Sequence, residues 1–372
     1  MTGLYIHFPF CENKCVYCDF YSIKYDETLA KKYIDRIISE VQNYDTTFDT
    51  IYFGGGTPSL MEKKQIEGIL KSVRTNKNAE ITLECNPSKK ISDNDGFKTD
   101  FDVFFRKSVS EQSVLESGIN RVSIGLQSAN EDELAFLSRR HSASDVKKTV
   151  ETAKNAGITN ISLDIMIGLP NGSVDKLKKT IDFCIEMNAQ HISAYILKIE
   201  EGTCLHKFKQ NYNFPSEDEV AEQYIFLCEY LEKNRYMQYE ISNFAKDGYK
   251  SKHNLIYWTG DEYYAAGAAA HSFISGKRGY YPRNIEAYIK GTQRIIESEK
   301  DDFETYFMLR MRLSDGYNFK EAEKRGYNTP QCLHKNAVLL EKAGLLIVDD
   351  EKISLTKQGF LVSNQIILKL LM

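Results

Sequence analysis

The 372-residue sequence has no long apolar run, and none approaches the 18 residues that a membrane-spanning helix needs. The N terminus lacks the features of a signal peptide, since Met1-Thr2-Gly3 leads directly into a predicted strand. The formal net charge is only -4, so no basic excess indicates nucleic-acid binding. We therefore expect a cytoplasmic protein that binds no nucleic acid.

Cysteines are not scarce, but their distribution does not indicate a disulfide framework in a chain of this length. Three of the eight, Cys11, Cys15 and Cys18, follow the apolar run 4–8 with the spacing C-x3-C-x2-C. We expect the other five to be small buried residues, namely Cys85, Cys184, Cys204, Cys228 and Cys332.

Three thiolates on one short loop suit a 4Fe-4S cluster, which normally takes four ligands and here would lack one protein donor. The iron without a thiolate is open to chelation by the amino and carboxylate groups of S-adenosylmethionine. A zinc site is the alternative, with His7 or a distant residue as its fourth ligand. Zinc loops usually pair C-x2-C units, so the spacing favours the cluster.

Short β-rich runs alternate with helical patterns over the first 200 residues, which predicts an α/β fold with a parallel sheet. Six such units favour an open, partial TIM-type barrel over a flat sheet, although periodicity alone does not separate the two. The predicted strands are 4–8, 50–53, 80–84, 121–125, 160–165 and 190–195, and the predicted helices are 26–44, 62–74, 144–156 and 174–186.

Two further segments depart from this alternation. Residues 91–102 are rich in turn residues and aspartate, and we interpret them as a solvated surface insertion. We assign residues 1–297 to the barrel with an extension, and residues 298–372 to a small, mainly helical, winged-helix-like domain. Its predicted helices are 305–312, 319–323, 331–343 and 357–371, and its predicted hairpin joins 345–347 to 353–355.

Polar and glycine residues follow successive predicted strands, at Cys11, 54–56, Glu84, Gln127 and Asp164. Active sites of parallel barrels lie at the carboxyl ends of their strands, so we expect these residues to converge. The glycines let a ligand approach the backbone, and a simple tight turn is the alternative.

Glu84 and Asp164 are carboxylates in buried strands, where contact with a ligand is favoured over a structural salt bridge. Arg139 is a candidate partner for either acid or for a ligand carboxylate, and a solvated helix arginine is the alternative.

Taken together, these motifs resemble the radical-SAM superfamily, in the branch of oxygen-independent coproporphyrinogen III oxidase and its relatives, over residues 4–284. The resemblance implies that Cys11, Cys15 and Cys18 ligate a 4Fe-4S cluster. It also implies that the following residues bind S-adenosylmethionine: Tyr5, Tyr17, Gly55, Gly56, Thr57, Glu84, Gln127, Arg139 and Asp164.

Two departures from the oxidase indicate a different subfamily. The oxidase has a further cysteine where this chain has Phe20, and it has a long arm where only ten residues precede Cys11. The chain resembles instead the haem-chaperone subfamily, whose motif His-Asn-x-x-Tyr-Trp is present at 253–258. This implies haem contacts from His253, Asn254, Tyr257 and Trp258, with His253 on the iron and His271 as a lesser candidate. From spacing alone, His253 is an ordinary buried histidine.

The resemblance implies a haem chaperone that passes haem to an acceptor haemoprotein, of which a respiratory enzyme at the membrane is the expected class. The enzymatic alternative is a coproporphyrinogen III dehydrogenase acting by radical-SAM decarboxylation, and Phe20 counts against it. A third possibility is a radical-SAM enzyme for another substrate. We expect the apolar C-terminal segment 366–372 to be a docked helix, since seven residues do not span a membrane.

Overall fold

The computed structural model describes residues 1–87, 118–298 and 302–372. The predicted insertion at 91–102 lies outside these residues. The strands are β1 Gly3–Phe8, β2 Phe10–Cys11, β3 Ile23–Lys24, β4 Thr47–Gly55, β5 Arg74–Cys85, β6 Arg121–Gln127, β7 Asn160–Ile167, β8 His191–Ile196, β9 Met237–Gln238, β10 Asn243–Ala245, β11 Tyr263–Ala266, β12 His271–Ile274, β13 Lys277–Tyr280, β14 Ile295–Ser298, β15 Tyr317–Asn318, β16 Leu346–Val348 and β17 Lys352–Leu355.

The α-helices alternate with the first eight strands and then dominate the C-terminal part of the chain. They are α1 Glu27–Val41, α2 Lys63–Lys71, α3 Glu131–Phe136, α4 Ala143–Asn155, α5 Val174–Glu186, α6 Cys204–Phe208, α7 Glu217–Lys233, α8 Lys252–Thr259, α9 Ile285–Ile289, α10 Phe303–Arg310, α11 Phe319–Lys324, α12 Gln331–Lys342, α13 Lys357–Leu361 and α14 Ser363–Leu371. Local sequence sets several of their starts. The Asp26 carboxylate, for example, accepts the Leu29 amide at 2.7 Å and so caps α1.

Twelve strands form one sheet in the order β14-β13-β12-β11-β1-β4-β5-β6-β7-β8-β10-β9. The seven strands from β11 to β8 are parallel, and antiparallel strands extend the sheet at both sides. The edge strands β14 and β9 are not paired with each other, so the predicted open, partial barrel is confirmed. All six predicted strands are present. The seventh parallel strand, β11, was not predicted, because it has only four residues and its two tyrosines are followed by alanines, which are depleted in strands.

The two faces of the parallel strands differ sharply. Residues such as Leu4, Ile51 and Leu83 are buried on the outer face, where they join the hydrophobic core under the helices. The inner face carries polar side chains that hydrogen-bond across the sheet: Tyr52 to Glu84 (2.9 Å), Ser123 to Asp164 (3.0 Å) and Ser162 to His191 (2.7 Å). Because side chains alternate along a strand, the sheet encloses a polar interior.

The C-terminal part contains a three-stranded sheet of order β15-β17-β16, and the predicted hairpin is its β16–β17 pair. The predicted single helix over 357–371 is wrong, since it breaks at Val362 into α13 and α14. Ion pairs from Arg325 to Asp261 (2.8 Å) and from Lys357 to Glu232 connect this part with the preceding chain. The division into two domains after residue 297 stays a prediction.

Two other expectations concern burial. Cys85, Cys184 and Cys228 are buried as predicted, but Cys204 is exposed and Cys332 is half-buried, so that prediction is wrong for two of the five. Burial of a single small residue depends on which face of its helix packs against the core, and isolated cysteines in the sequence do not indicate that face.

Among the described helices, none combines the length and apolar character needed to cross a membrane.

Candidate functional site

The three-cysteine loop lies at the carboxyl end of β1. Its base is closed by the parallel pair β2 and β3, in which Cys11 is opposite Lys24. Within the loop the Cys18 amide donates to the Cys15 carbonyl at 3.2 Å. All three thiols are half-buried, so each is partly accessible from the mouth of the barrel.

A chain of hydrogen bonds joins this loop to the ends of β4, β5 and the α3–α4 connection. Arg139 donates to the Tyr17 hydroxyl at 2.6 Å and to the Asn86 amide oxygen at 2.7 Å. Asn86 donates to Thr57 at 2.9 Å, and the Thr57 hydroxyl lies 3.7 Å from the Cys11 sulfur. Asn86 was not among the predicted site residues. Its position two residues after Glu84, beyond the same strand, was the signal available in the sequence.

The glycine run after β4 is required by close packing. Gly55 has φ +112°, and a Cβ at Gly56 would lie 2.5 Å from the backbone oxygen of Phe10. Any side chain at Gly56 would therefore push the three-cysteine loop away from the barrel. The amide of Gly55 donates to Glu84 at 3.1 Å, so the same turn also orients that carboxylate.

Glu84 and Asp164 face the polar interior as unpaired carboxylates. Glu84 accepts from Tyr52 and from the Gly55 amide, and Asp164 accepts from Ser123 at 3.0 and 3.2 Å. Burial raises the pKa of Glu84 to about 7, and the nearby charge of Asp164 also raises it. Burial likewise raises the pKa of Asp164. Neither acid forms a salt bridge with any described residue, so the structural alternative proposed from the sequence lacks its partner.

Gln127 and Arg139 converge on the same space. Gln127 is buried, has φ +65° and follows a register shift at the end of β6. A Cβ at Gly125 would lie 2.9 Å from the Gln127 amide nitrogen, 3.3 Å from the Asn86 oxygen and 3.6 Å from an Arg139 nitrogen. The absence of a side chain there therefore allows three polar groups to meet. The buried Nε of Arg139 has no hydrogen-bond partner in the described part of the chain and can donate to a ligand.

Tyr5 and His7 lie side by side on the inner face of β1. The Tyr5 hydroxyl is 3.1 Å from His7 Nδ1, and His7 Nε2 is 2.9 Å from the Tyr21 carbonyl. Burial lowers the pKa of His7 to about 4, which keeps the imidazole neutral. Both ring nitrogens are engaged, which disfavours His7 as the fourth ligand of a zinc site.

The thiol geometry also bears on the choice between zinc and a cluster. Within residues 1–87, 118–298 and 302–372, no three His, Cys, Asp or Glu side chains converge closely enough to hold one metal ion. Zinc requires its ligands around a single ion. In a 4Fe-4S cluster each thiolate binds a different iron, so the three cysteines of the loop need not meet at one point.

The predicted haem residue His253 is buried inside the molecule, with 1% of its surface exposed. Its Nδ1 lies 2.7 Å from the Thr50 hydroxyl and its Nε2 lies 2.9 Å from the Tyr257 hydroxyl. Glu80 accepts the backbone amides of Lys252 and His253, each at 3.1 Å, and so fixes the start of α8. In this conformation neither imidazole nitrogen is available to a haem iron.

The remaining residues of the motif and the other histidines are distributed differently. Asn254, Tyr257 and Trp258 are half-buried, and the Tyr257 hydroxyl is already bonded to His253. His271 is exposed on β12, where its ring stacks on that of Tyr280 with centroids 5.3 Å apart. Of the four other histidines outside β1, His141 and His191 are buried, His206 is half-buried and His334 is exposed.

The chain is similar to known proteins along its whole length. The model of the radical SAM superfamily matches residues 5–184, and that of the HemN C-terminal domain matches residues 298–362. The heme chaperone HemW of Lactococcus lactis is 31% identical over all of this chain and 97% of its own length. The chain belongs to the HemW family. HemW of Escherichia coli is 33% identical over 84% of this chain and 82% of its own length.

Two further likenesses extend the comparison. The zebrafish protein named radical S-adenosyl methionine domain-containing protein 1, mitochondrial, is 30% identical over 98% of this chain and 86% of its own length. The solved structure of coproporphyrinogen III oxidase (HemN) from Escherichia coli matches 99% of this chain and 89% of its own with a TM-score of 0.79. At 17% identity, that match shows that the HemW-type chain shares the oxidase fold.

Proposed function

We propose that this chain is a haem chaperone of the cytoplasm that carries a 4Fe-4S cluster and S-adenosylmethionine, and passes haem to acceptor haemoproteins. The observation that carries the proposal is likeness over the full length to proteins named heme chaperone HemW. Phe20 supports it, because this side chain stands where the oxidase has a further cysteine and is 64% exposed.

Cys11, Cys15 and Cys18 would hold the cluster, which supplies an iron with an open coordination position when bound. The surroundings fit such a group. The loop is anchored at its base by β2 and β3, and Gly56 allows it to pack directly on the barrel. Thr57 donates toward Cys11, an arrangement that would stabilise a thiolate there.

S-adenosylmethionine would occupy the polar mouth between the loop and the strand ends. Glu84 and Asp164 provide acceptors for its ammonium or hydroxyl groups, and the free Nε of Arg139 provides a donor for its carboxylate. Gln127 and Thr57 add neutral polar groups. Tyr5 and Tyr17 lie at the border of the site, where the Tyr5 hydroxyl is hydrogen-bonded to His7 and the Tyr17 hydroxyl accepts from Arg139. The arrangement of these residues supports a role for the chain in orienting bound S-adenosylmethionine.

The family motif implies haem contacts from His253, Asn254, Tyr257 and Trp258, with His253 on the iron, and the proposed function itself does not depend on which histidine ligates. For His253 to reach an iron, it must first leave Thr50 and Tyr257. Ligation through this residue therefore predicts a movement of α8 on haem binding.

An anaerobic assay tests the proposal against the dehydrogenase. Cluster-reconstituted protein is mixed with coproporphyrinogen III, S-adenosylmethionine and a reductant, and haem binding is followed by absorbance on the same preparation. Stoichiometric haem binding without formation of protoporphyrinogen is expected. Turnover to protoporphyrinogen that disappears in the Cys18→Ser variant would contradict the proposal and favour the enzyme.

The acceptor class is tested separately. Haem-loaded protein is mixed with bacterial membrane vesicles whose respiratory cytochromes lack haem, and the reduced cytochrome spectrum is recorded. We expect the spectrum to appear faster than with the same concentration of free haem. Equal rates would indicate simple dissociation and no chaperone function.

A further inference from the structure

Four of the seven histidines are closed to an external iron. His7, His141, His191 and His253 are buried, and each forms a hydrogen bond through its ring within the chain. A histidine that ligates haem must offer the iron a ring nitrogen that is not already engaged and that the macrocycle can reach from outside the folded chain. Without rearrangement, His206, His271 and His334 remain as the candidates.

His271 lies in a row of three side chains across the antiparallel extension of the sheet, in which His271 and Ile295 are exposed and Tyr280 is half-buried. It is directly opposite Tyr280 on β13, and Tyr280 is opposite Ile295 on β14. Directly opposed residues in antiparallel strands project to the same face. The Tyr280 ring stacks on the imidazole at an interplanar angle of 23°, which limits its rotation, and Ile295 is 44% exposed. The row thus combines an oriented imidazole with accessible apolar surface.

This row continues the inner face of the barrel toward solvent. Phe273, two residues after His271 on β12, packs against Tyr263 of β11 with ring centroids 6.5 Å apart. Tyr263 in turn contacts Tyr257 edge-on at 4.7 Å. The motif residue Tyr257 therefore connects to the exposed wall through two aromatic contacts.

A basic residue lies beside the same wall. Arg283 is exposed, and it forms no ion pair with a described residue. Arg283 follows the end of β13 by three residues, and the Tyr281 amide in between donates at 3.0 Å to the carbonyl of Ala270, the residue before His271. The segment that carries Arg283 therefore runs beside the start of β12. An accessible guanidinium is suited to the carboxylate of a haem propionate.

We infer that His271, in place of His253, is the axial ligand of the haem iron, with the macrocycle resting on the half-buried Tyr280 and the exposed Ile295 and a propionate facing Arg283. The inference rests on the proposed function and names the side chain that carries it. His206 lies on α6, which contacts the three-cysteine loop through the hydrogen bond from the Leu205 amide to the Val16 carbonyl at 2.8 Å, and His334 lies on α12. Neither histidine is part of the row on β12, β13 and β14.

Haem titration of the reconstituted full-length protein tests this assignment. The test variant is His271→Ala, and His206→Ala and His334→Ala are the matched controls. His253→Ala tests the alternative that the histidine of the family motif is the ligand. We expect His271→Ala to weaken haem binding by about tenfold or more and to abolish the absorption and EPR features of imidazole ligation. The controls should bind as the wild type does. Free imidazole added to His271→Gly should restore those features.

The outcomes separate two failures. If the wild type binds no haem, the proposed function and the inference both fail. If it binds haem and His271→Ala keeps the affinity and spectrum, only the inference is overturned, and the variant that loses ligation identifies the true ligand. Arg283→Gln should weaken binding without changing the ligation spectrum, since a propionate contact does not alter the axial donor.

Discussion

The imidazole of His253 stacks on the phenol ring of Tyr52, with centroids 5.1 Å apart and planes at 25°. Tyr52 donates at 2.9 Å to Glu84, the carboxylate at the end of the neighbouring strand. Through His253, the motif at 253–258 on α8 therefore packs against the side chains that line the inner face of the barrel. A residue that the family motif associates with haem here determines the position of a residue in the proposed S-adenosylmethionine site.

Replacing His253 with Ala should destabilise the cofactor-free protein by about 2 to 4 kcal/mol, because Thr50 and Tyr257 lose their buried partner and a cavity remains. Denaturant unfolding measures this loss. His206→Ala, at a half-buried position on a short helix, is the control and should change the free energy of unfolding by about 0.5 kcal/mol or less. Equal midpoints for the two variants would mean that His253 has no supporting role.

Glu84→Gln should alter the dependence of stability on pH. Burial raises the pKa of Glu84 to about 7, above its value of 4.5 in the unfolded chain. Between these values the folded state retains a proton that the unfolded state has lost, so the wild type loses stability as pH rises. From pH 5 to pH 8, the variant should gain about 2 kcal/mol relative to the wild type.

Unfolding midpoints of the cofactor-free protein at both pH values test this expectation. The exposed Glu201→Gln is the matched control and should follow the wild type. An unchanged difference between Glu84→Gln and the wild type across the range would show that folding does not raise the pKa of Glu84.

Cys18→Ser should abolish the 4Fe-4S cluster, because a hydroxyl does not replace a thiolate toward iron in a site that already lacks one protein ligand. Iron and sulfide analysis after anaerobic reconstitution measures the loss, together with the EPR spectrum of the reduced protein. Cys204→Ser removes an exposed thiol outside the loop and should retain full iron content. Zinc in place of iron in the wild type would support the alternative site.

Arg139→Lys should weaken S-adenosylmethionine binding by about tenfold or more. Lysine keeps the charge, but it loses the planar group that binds Tyr17 and Asn86 together and offers a free Nε. Calorimetric titration of the reconstituted protein provides the measurement. The neighbouring Arg140→Lys is the control, since Arg140 is exposed and lies 4.0 Å from Glu12 at the surface. Similar affinities for both variants would exclude Arg139 from the site.

The sequence by itself determined the six predicted strands, their parallel arrangement and the residues at the strand ends, and it favoured an open barrel without excluding a flat sheet. These features are local: alternation sets the strands, and the carboxyl ends of parallel strands meet wherever such a sheet forms. The convergence of Gln127 and Arg139 follows from that rule. The spacing of the three cysteines is equally local, because all three lie within eight consecutive residues, and the loop is therefore recognisable from the order of its amino acids.

Tertiary structure alone decided the accessibility of the haem-motif histidine. His253 is closed because α8 packs against β4, some 200 residues earlier in the chain, and no local pattern encodes that contact. The same holds for β11, which pairs with β1 across a similar separation and brings the row of His271 beside the site. Burial and partner choice depend on contacts between distant segments, and those contacts exist only in the folded chain.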